Sequence, residues 1–239
     1  MLAVVLLPAL LCDAELYASP LAALKDLANP FVVTVAEPDL ARAATLVLER
    51  APARFALAGT SAGGNLALEV LAAAPERVVG LWLTGVNPGR HADPDGARQL
   101  QERVRAGEFE AVVDLLAARS VHAAGQHADG ALSVLRAMAR RAGPEVFLRQ
   151  SEAIIARRDR WDVLTGLDVP TLLLWGRHDA FAGADTARAI AERVRDARLV
   201  VLDDCGHLPT LERPAACVPA VRAWLTAVAE RPLKGAPPC

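Results

Sequence analysis

Short, uninterrupted apolar runs alternate with longer alanine-rich amphipathic stretches along most of this chain, and that alternation restricts the fold more than any single motif. The runs are "LAVVLL" (2–7), "FVVTVA" (31–36), "RFALAG" (54–59), "VVGLWLTG" (78–85), "PTLLLWG" (170–176) and "ARLVVLD" (197–203). Strands covered by helices on both faces read as continuous apolar runs of this kind. Helical stretches at about 14–27, 39–51, 62–75, 184–195 and 214–228 accompany them. The order strand, helix, strand, helix predicts an α/β fold with a doubly wound, mostly parallel sheet of about six strands.

One region departs from the alternation. From about Asn87 to Val163 the chain reads as helical throughout, with "DGARQLQERVRAGEFEAVVDLLAARS" and "GALSVLRAMARRAGPEVFLRQSEAIIARR" as its main segments. An insertion this long between two strands exceeds an ordinary crossover and predicts a helical cap. The expected division is a core of residues 1–86 and 164–229, a cap of 87–163 and a proline-rich, disordered tail of 230–239.

Composition removes several classes of function. With 53% hydrophobic and 23% charged residues and a net charge of -2, the chain carries no electrostatic footprint for nucleic acid. Only Lys25 and Lys234 are lysines among 26 basic residues, a bias from which no function follows. Four cysteines (Cys12, Cys205, Cys217, Cys239) form no CxxC pair, so neither a zinc site nor a disulfide framework is indicated and reduced thiols are expected. No apolar run approaches the roughly 20 residues of a membrane span. The opening stretch "MLAVVLLPALLC" has the look of a lipoprotein signal, yet nothing basic precedes Lys25, and Leu10 and Leu11 stand where small residues would precede a cut. It is therefore expected to stay attached as the first strand of a cytoplasmic protein, monomeric or homodimeric, with no membrane partner.

The chemistry-bearing signal follows the third strand, in "RFALAGTSAGGNLALEVL". Gly59-Thr60-Ser61-Ala62-Gly63 is a G-x-S-x-G between a strand and a helix, the setting of a nucleophile elbow. Gly59 and Gly63 are small because strand and helix must approach closely on either side of a sharp turn. Ser61 would be raised above the sheet edge at a helix N-terminus, where free N–H groups face a developing anion. The competing reading is a serine that merely caps the helix.

A serine at its ordinary pKa needs a base, and the base needs a third group to orient it. Five histidines compete: His91, His122, His127, His178 and His207. His122 and His127 fall in the helical insertion without an acid at ligand spacing and read as solvated. His207, in "LVVLDDCGHLPTLERP", lies just past the last strand, at a carboxyl strand end where catalytic groups of open α/β sheets collect. Asp179 has a similar address in "PTLLLWGRHDAF"; its rivals Asp203 and Asp204 stand too close to His207 in sequence for an easy approach. The order Ser61, Asp179, His207 is that of an α/β-hydrolase.

On "LAGTSAGG", "PTLLLWGRHD" and "CGHLPTLERP" the chain resembles the α/β-hydrolase fold superfamily, over residues 2 to about 228, and within it small bacterial serine hydrolases with a helical cap. Relatives of that fold include esterases, lactonases, thioesterases, C–C bond hydrolases, haloperoxidases and dehalogenases. The resemblance assigns Pro8-Ala9-Leu10 to the loop usually written His-Gly-x, and hence the Leu10 and Ala62 backbone N–H groups to an oxyanion hole. Ala9 occupies the usual glycine position, so a positive φ there would store strain. The strand begins almost at residue 1, so a trimmed sheet of about six strands, lacking the two that precede it in many relatives, is expected.

The function so implied is hydrolysis of a carboxylic ester, lactone or thioester of a small to medium, largely apolar acyl group, with Ser61, His207 and Asp179 as catalytic residues and no cofactor or metal. Acyl transfer or perhydrolysis by the same triad, and a non-catalytic ligand-binding protein, are the alternatives. Apolar residues of the insertion, among them Val112, Val113, Leu115, Leu116, Leu135, Met138, Phe147 and Ile154, are expected mostly to pack the cap. Seven arginines against three acids between Arg136 and Arg160 read as a solvated helical face, with an anionic substrate or carrier as the alternative.

Overall fold

The computed structural model describes residues 1–231; the expected tail, including Cys239, lies outside the described residues from 232 onward. Six strands form a single parallel sheet in the order β2-β1-β3-β4-β5-β6: β1 Leu2–Leu7, β2 Ala28–Val32, β3 Phe55–Thr60, β4 Val78–Thr84, β5 Thr171–Gly176 and β6 Ala197–Leu202. Helices α1 (Ala18–Leu24), α2 (Leu40–Arg50), α3 (Ala62–Ala73), α8 (Ala184–Ala191), α9 (Pro209–Glu212) and α10 (Pro214–Glu230) cover its two faces. Between β4 and β5 run α4 (Pro94–Arg105), α5 (Phe109–Ser120), α6 (Ala128–Ile155) and α7 (Trp161–Leu164).

The two-residue repeat of a strand explains why the apolar runs are continuous. In β1, Val5 and Leu7 enter one core with α2, α3 and α8 residues such as Val47, Leu68 and Ile190. Val4 and Leu6 enter the opposite core with Leu24, Val221 and Trp224. Trp82 anchors that second core between the edges of Tyr17 and Trp224, at ring separations of 5.8 and 6.1 Å. The opening stretch is thus an interior strand, hydrogen-bonded to β2 on one side and β3 on the other.

Three expectations about element bounds need correction. The second strand spans 28–32, not 31–36: pairing with β1 begins at Ala28 despite Asn29 and Pro30, which an edge strand tolerates because one side of its backbone faces no partner. The preceding helix accordingly stops at Leu24. The insertion is not helical throughout. Gly107 (φ 91°) separates α4 from α5, residues 121–127 are irregular, and α6 kinks at Gly143 (φ 82°), where Pro144 has no N–H to continue the ladder.

Cys12, Cys205 and Cys217 are buried free thiols, and burial raises Cys217 to about 12. Among the described residues no helix is long and apolar enough to cross a membrane, and no cluster of three or more His, Cys, Asp or Glu is placed to hold a metal ion.

Candidate active site

The parallel sheet brings the ends of β1, β3, β4, β5 and β6 to one edge, and the residues singled out in the sequence gather there. Ser61 follows β3 directly and adopts φ 54°, ψ -115°. A left-handed φ at a residue with a Cβ costs about 1 kcal/mol or more. Its neighbours hold it there: Ser61 N–H donates to Thr84 O (2.8 Å), and the backbone and side-chain N–H groups of Asn65 donate to Ser61 O (3.0 and 3.2 Å). Although Ser61 occupies the N-cap position of α3, its hydroxyl makes no capping bond, so the capping reading does not describe it.

The glycines answer to close backbone contact. A Cβ on Gly59 would lie 2.5 Å from Gly63 O, and one on Gly63 would lie 2.0 Å from Leu7 O. Strand β1 and helix α3 meet with no room for a methyl group.

Asp179 and His207 are both buried and in direct contact, with His207 Nδ1 2.8 Å from Asp179 Oδ2. The second carboxylate oxygen accepts the backbone N–H groups of Phe181 (2.8 Å) and Ala182 (2.9 Å). A carboxylate can only accept, so the imidazole carries its proton on Nδ1 and leaves Nε2 as an acceptor. No hydrogen bond joins Ser61 Oγ to His207 among the described residues, but both border one cavity. Free hydrolytic sites commonly show this looser approach. Asp203 and Asp204 are exposed and pair instead with Arg177 and Arg213.

The loop after β1 resolves the question raised by Ala9. It is a tight turn closed by Cys12 N–H to Ala9 O (3.0 Å), and the positive φ falls at Leu11 (60°), not at Ala9. In a type II turn the third residue takes the left-handed conformation, which is why glycine is common there. Here Leu11 accepts the strain: its side chain is buried with Val112 and Phe147, and its N–H donates to Gln150 Oε1 (3.0 Å). Gln150 also donates to Val35 O (3.0 Å), tying α6 to two loops of the sheet edge. Leu10 itself borders the cavity beside Ser61 and Ala62.

Three residues the sequence reading passed over support this arrangement. Glu212 is buried, and its carboxylate accepts the N–H groups of Gly206 (2.7 Å), Leu208 (2.9 Å) and His122 (2.8 Å), clamping both neighbours of His207. Gly85 (φ 59°) lies under the dyad, where a Cβ would come 2.7 Å from His207 Cε1. Gln150 is the third. Only Glu212 had a local hint, its place in "GHLPTLERP"; the other two act across long sequence separations. His122 is half-buried, its ring stacked on that of the exposed His178 at 3.9 Å.

Two lobes open from Ser61, Leu10 and Phe181. The smaller, about 80 Å³, is lined mainly by apolar side chains including Val113, Leu135 and Leu208. The larger, about 350 Å³, is bordered by Phe147 and Ile154 but also by Asn65, His91, Arg119 and Arg157. Of the insertion's apolar residues, Val112 and Met138 are fully buried in packing, Leu115 is exposed, and Leu116 borders both lobes.

Known proteins with this architecture bear on the arrangement. The chain is 27% identical over 212 residues to a pimeloyl-[acyl-carrier protein] methyl ester esterase of Neisseria meningitidis, a match covering 84% of this chain and 67% of that one. Its fold matches a thermophilic esterase from Thermogutta terrifontis with a TM-score of 0.84, at 24% identity over 95% of this chain and 90% of that one. It matches the enol-lactonase from Burkholderia xenovorans LB400 with a TM-score of 0.82, at 24% identity over 94% and 91%. The family model of the alpha/beta hydrolase fold matches residues 39–214, a span running from the second helix through the elbow to the loop after His207. By that match, and by the parallel sheet and strand-end site, the chain belongs to the alpha/beta hydrolase fold family.

Proposed function

We propose that this chain is an enzyme that hydrolyses carboxylic esters, thioesters or lactones through an acyl-enzyme on Ser61, with His207 as base and Asp179 as its orienting acid. Relatives named as esterases and an enol-lactonase support ester hydrolysis. The observation that carries the mechanism is Ser61 itself, strained, uncapped and facing the same cavity as the buried Asp179–His207 pair.

Ser61 Oγ attacks the acyl carbonyl while His207 Nε2 takes its proton; the N–H groups of Leu10 and Ala62 receive the oxyanion. Ala62 is the first residue of α3, so its N–H lies outside the helix's own ladder. Collapse of the tetrahedral intermediate expels the alcohol, thiol or lactone hydroxyl with the proton from His207. Water then attacks the acyl-enzyme through the same imidazole, releasing the acid and restoring Ser61. In this reading residues 87–163 act as a cap over a core of 1–86 and 164–229, supplying the walls of both lobes.

Incubation with a fluorophosphonate probe tests the nucleophile. Stoichiometric labelling at Ser61, abolished in Ser61→Ala, is expected; labelling elsewhere, or unchanged in the variant, overturns the assignment. The oxyanion loop has its own test. Gln150→Leu deprives the Leu11 N–H of its acceptor and lets the Leu10 N–H drift, so kcat is expected to fall about 10–100-fold with KM little changed. Steady-state kinetics on a p-nitrophenyl ester, with a melting curve to check folding, reads this out.

A further inference from the structure

The arginines of the insertion separate into two groups. Five of the seven between Arg136 and Arg160 face acids: Arg136 meets Asp114, Arg140 meets Glu110, Arg141 meets Asp13 and Glu15, Arg149 meets Glu145, and Arg160 meets Glu69. Arg158 is exposed. Arg157 is half-buried and has no acid beside it among the described residues. It borders the larger lobe with Ser61, and its guanidinium is pushed down to about 10 by burial alone. Leaving a cation partly desolvated without a counter-charge is costly, and chains retain such an arrangement where something else supplies the charge.

The hydrogen bonds of Arg157 leave a defined capacity. Nε donates to Gly89 O (2.9 Å), Nη1 to Ile154 O (3.2 Å) and Nη2 to Arg90 O (3.3 Å). Five N–H groups less these three leaves one on each terminal nitrogen, a pair suited to the two oxygens of a carboxylate.

A second cation borders the same lobe. Arg119 lies over the Phe181 ring at 4.3 Å and donates to Ala180 O (3.2 Å), again without an acidic partner among the described residues. His91 stands with them. Burial first, and then Arg157, lower its pKa, with Asp93 opposing and Arg119 adding a little, so at neutral pH it is uncharged. Its Nδ1 accepts the Asp93 N–H (3.1 Å), which leaves the proton on Nε2 as a donor. Among the described residues the one acid bordering the lobe is Asp93, and its side chain is engaged in capping α4 through Gly96 N–H (2.9 Å).

We propose that the larger lobe is a carboxylate-binding subsite in which Arg157 and Arg119 receive the anionic end of the substrate, so that this enzyme acts on esters, thioesters or lactones that carry a free carboxylate several atoms from the scissile carbonyl. The smaller apolar lobe then holds the uncharged end. The inference rests on the serine-hydrolase reading above. A carboxylate suits the site better than a phosphate, because the Asp93 charge nearby disfavours a dianion.

Monomethyl adipate and methyl hexanoate test it, since they present the same ester and chain and differ in the terminal carboxylate. The wild-type enzyme is expected to favour the half ester by roughly tenfold or more in kcat/KM. That preference should shrink as ionic strength rises. It should also fall toward unity in Arg157→Gln and in Arg119→Gln. Arg157 also supports the chain at Gly89 and Arg90, so if Arg157→Gln does not fold, Arg119→Gln and the salt dependence of the wild type carry the test. Glutarate is expected to inhibit competitively and inorganic phosphate weakly; the reverse order overturns the choice of a carboxylate. Equal or better turnover of methyl hexanoate by wild-type enzyme, or a preference unchanged in both variants, overturns the subsite while leaving the hydrolase reading in place. A chain that neither takes the fluorophosphonate nor turns over either ester overturns both.

Discussion

Replacement of His207 by alanine is expected to lower kcat about a million-fold, with Asp179→Asn costing about ten-thousand-fold, in a protein that stays folded. The gap between the two follows from the hydrogen bonds. In the proposed mechanism His207 moves the proton, so its loss would leave only the oxyanion donors and binding. Asp179 would act there by setting which nitrogen carries the proton. In Asp179→Asn the side-chain oxygen can still accept the Phe181 and Ala182 N–H groups, which turns the amide nitrogen toward His207 Nδ1. An amide N–H facing Nδ1 forces the imidazole proton onto Nε2, and the base is lost to Ser61. The His207 backbone N–H to Ser120 O and the Glu212 clamp on its neighbours remain in both variants, so the loop keeps its place. Pre-steady-state and steady-state rates on an activated ester, beside circular dichroism, measure this. An Asp179→Asn enzyme within tenfold of wild type would remove Asp179 from the mechanism.

Gly63→Ala is expected to destabilise the fold by more than about 4 kcal/mol, or to prevent it from forming. The added methyl would sit 2.0 Å from Leu7 O and 2.5 Å from Pro8 O, both backbone atoms that no rotamer change can move. Relief requires β1 and α3 to separate, and β1 lies inside the sheet with side chains in both cores. Gly130→Ala is the control. Gly130 lies in α6 with nothing within 4 Å of an added Cβ, and alanine there is expected to be neutral or to stabilise by up to about 1 kcal/mol. Urea unfolding midpoints compare the two directly.

Particular elements show where the sequence was legible. Strands such as β1 and β5 were found within a residue of their observed bounds because each is a short apolar run fed by both cores. The second strand was displaced because its apolar run begins only at Phe31, whereas pairing with β1 draws in Ala28, Asn29 and Pro30. The turn at Ser61 was legible from glycine spacing, since the requirement for small residues is local. The turn at Leu11 was not: a leucine with positive φ is tolerated only because Gln150, Val112 and Phe147 hold it. Asp203 and Asp204 share the chain order and strand-end address of Asp179 and were set aside only for standing too close to His207 in sequence; in the structure they are exposed and pair with Arg177 and Arg213.

The sequence by itself determined the alternation of strands and helices, the parallel sheet and the elbow, because these depend on period, turn chemistry and burial within about ten residues. The tertiary structure alone decided the Asp179–His207 contact distance, the Glu212 clamp, the bond from Gln150 to the loop after β1, and the placing of Arg157, with no acid beside it among the described residues, in the lobe that Ser61 also borders. Each of these is an electrostatic or hydrogen-bonded contact whose energy depends on a few tenths of an ångström between groups brought together by folding. Composition had left the seven arginines between Arg136 and Arg160 equivalent; apart from the local Arg149–Glu145 pair, which of them meet an acid was settled only when α6 and the segment after it packed against α5, α3 and the loop after β1.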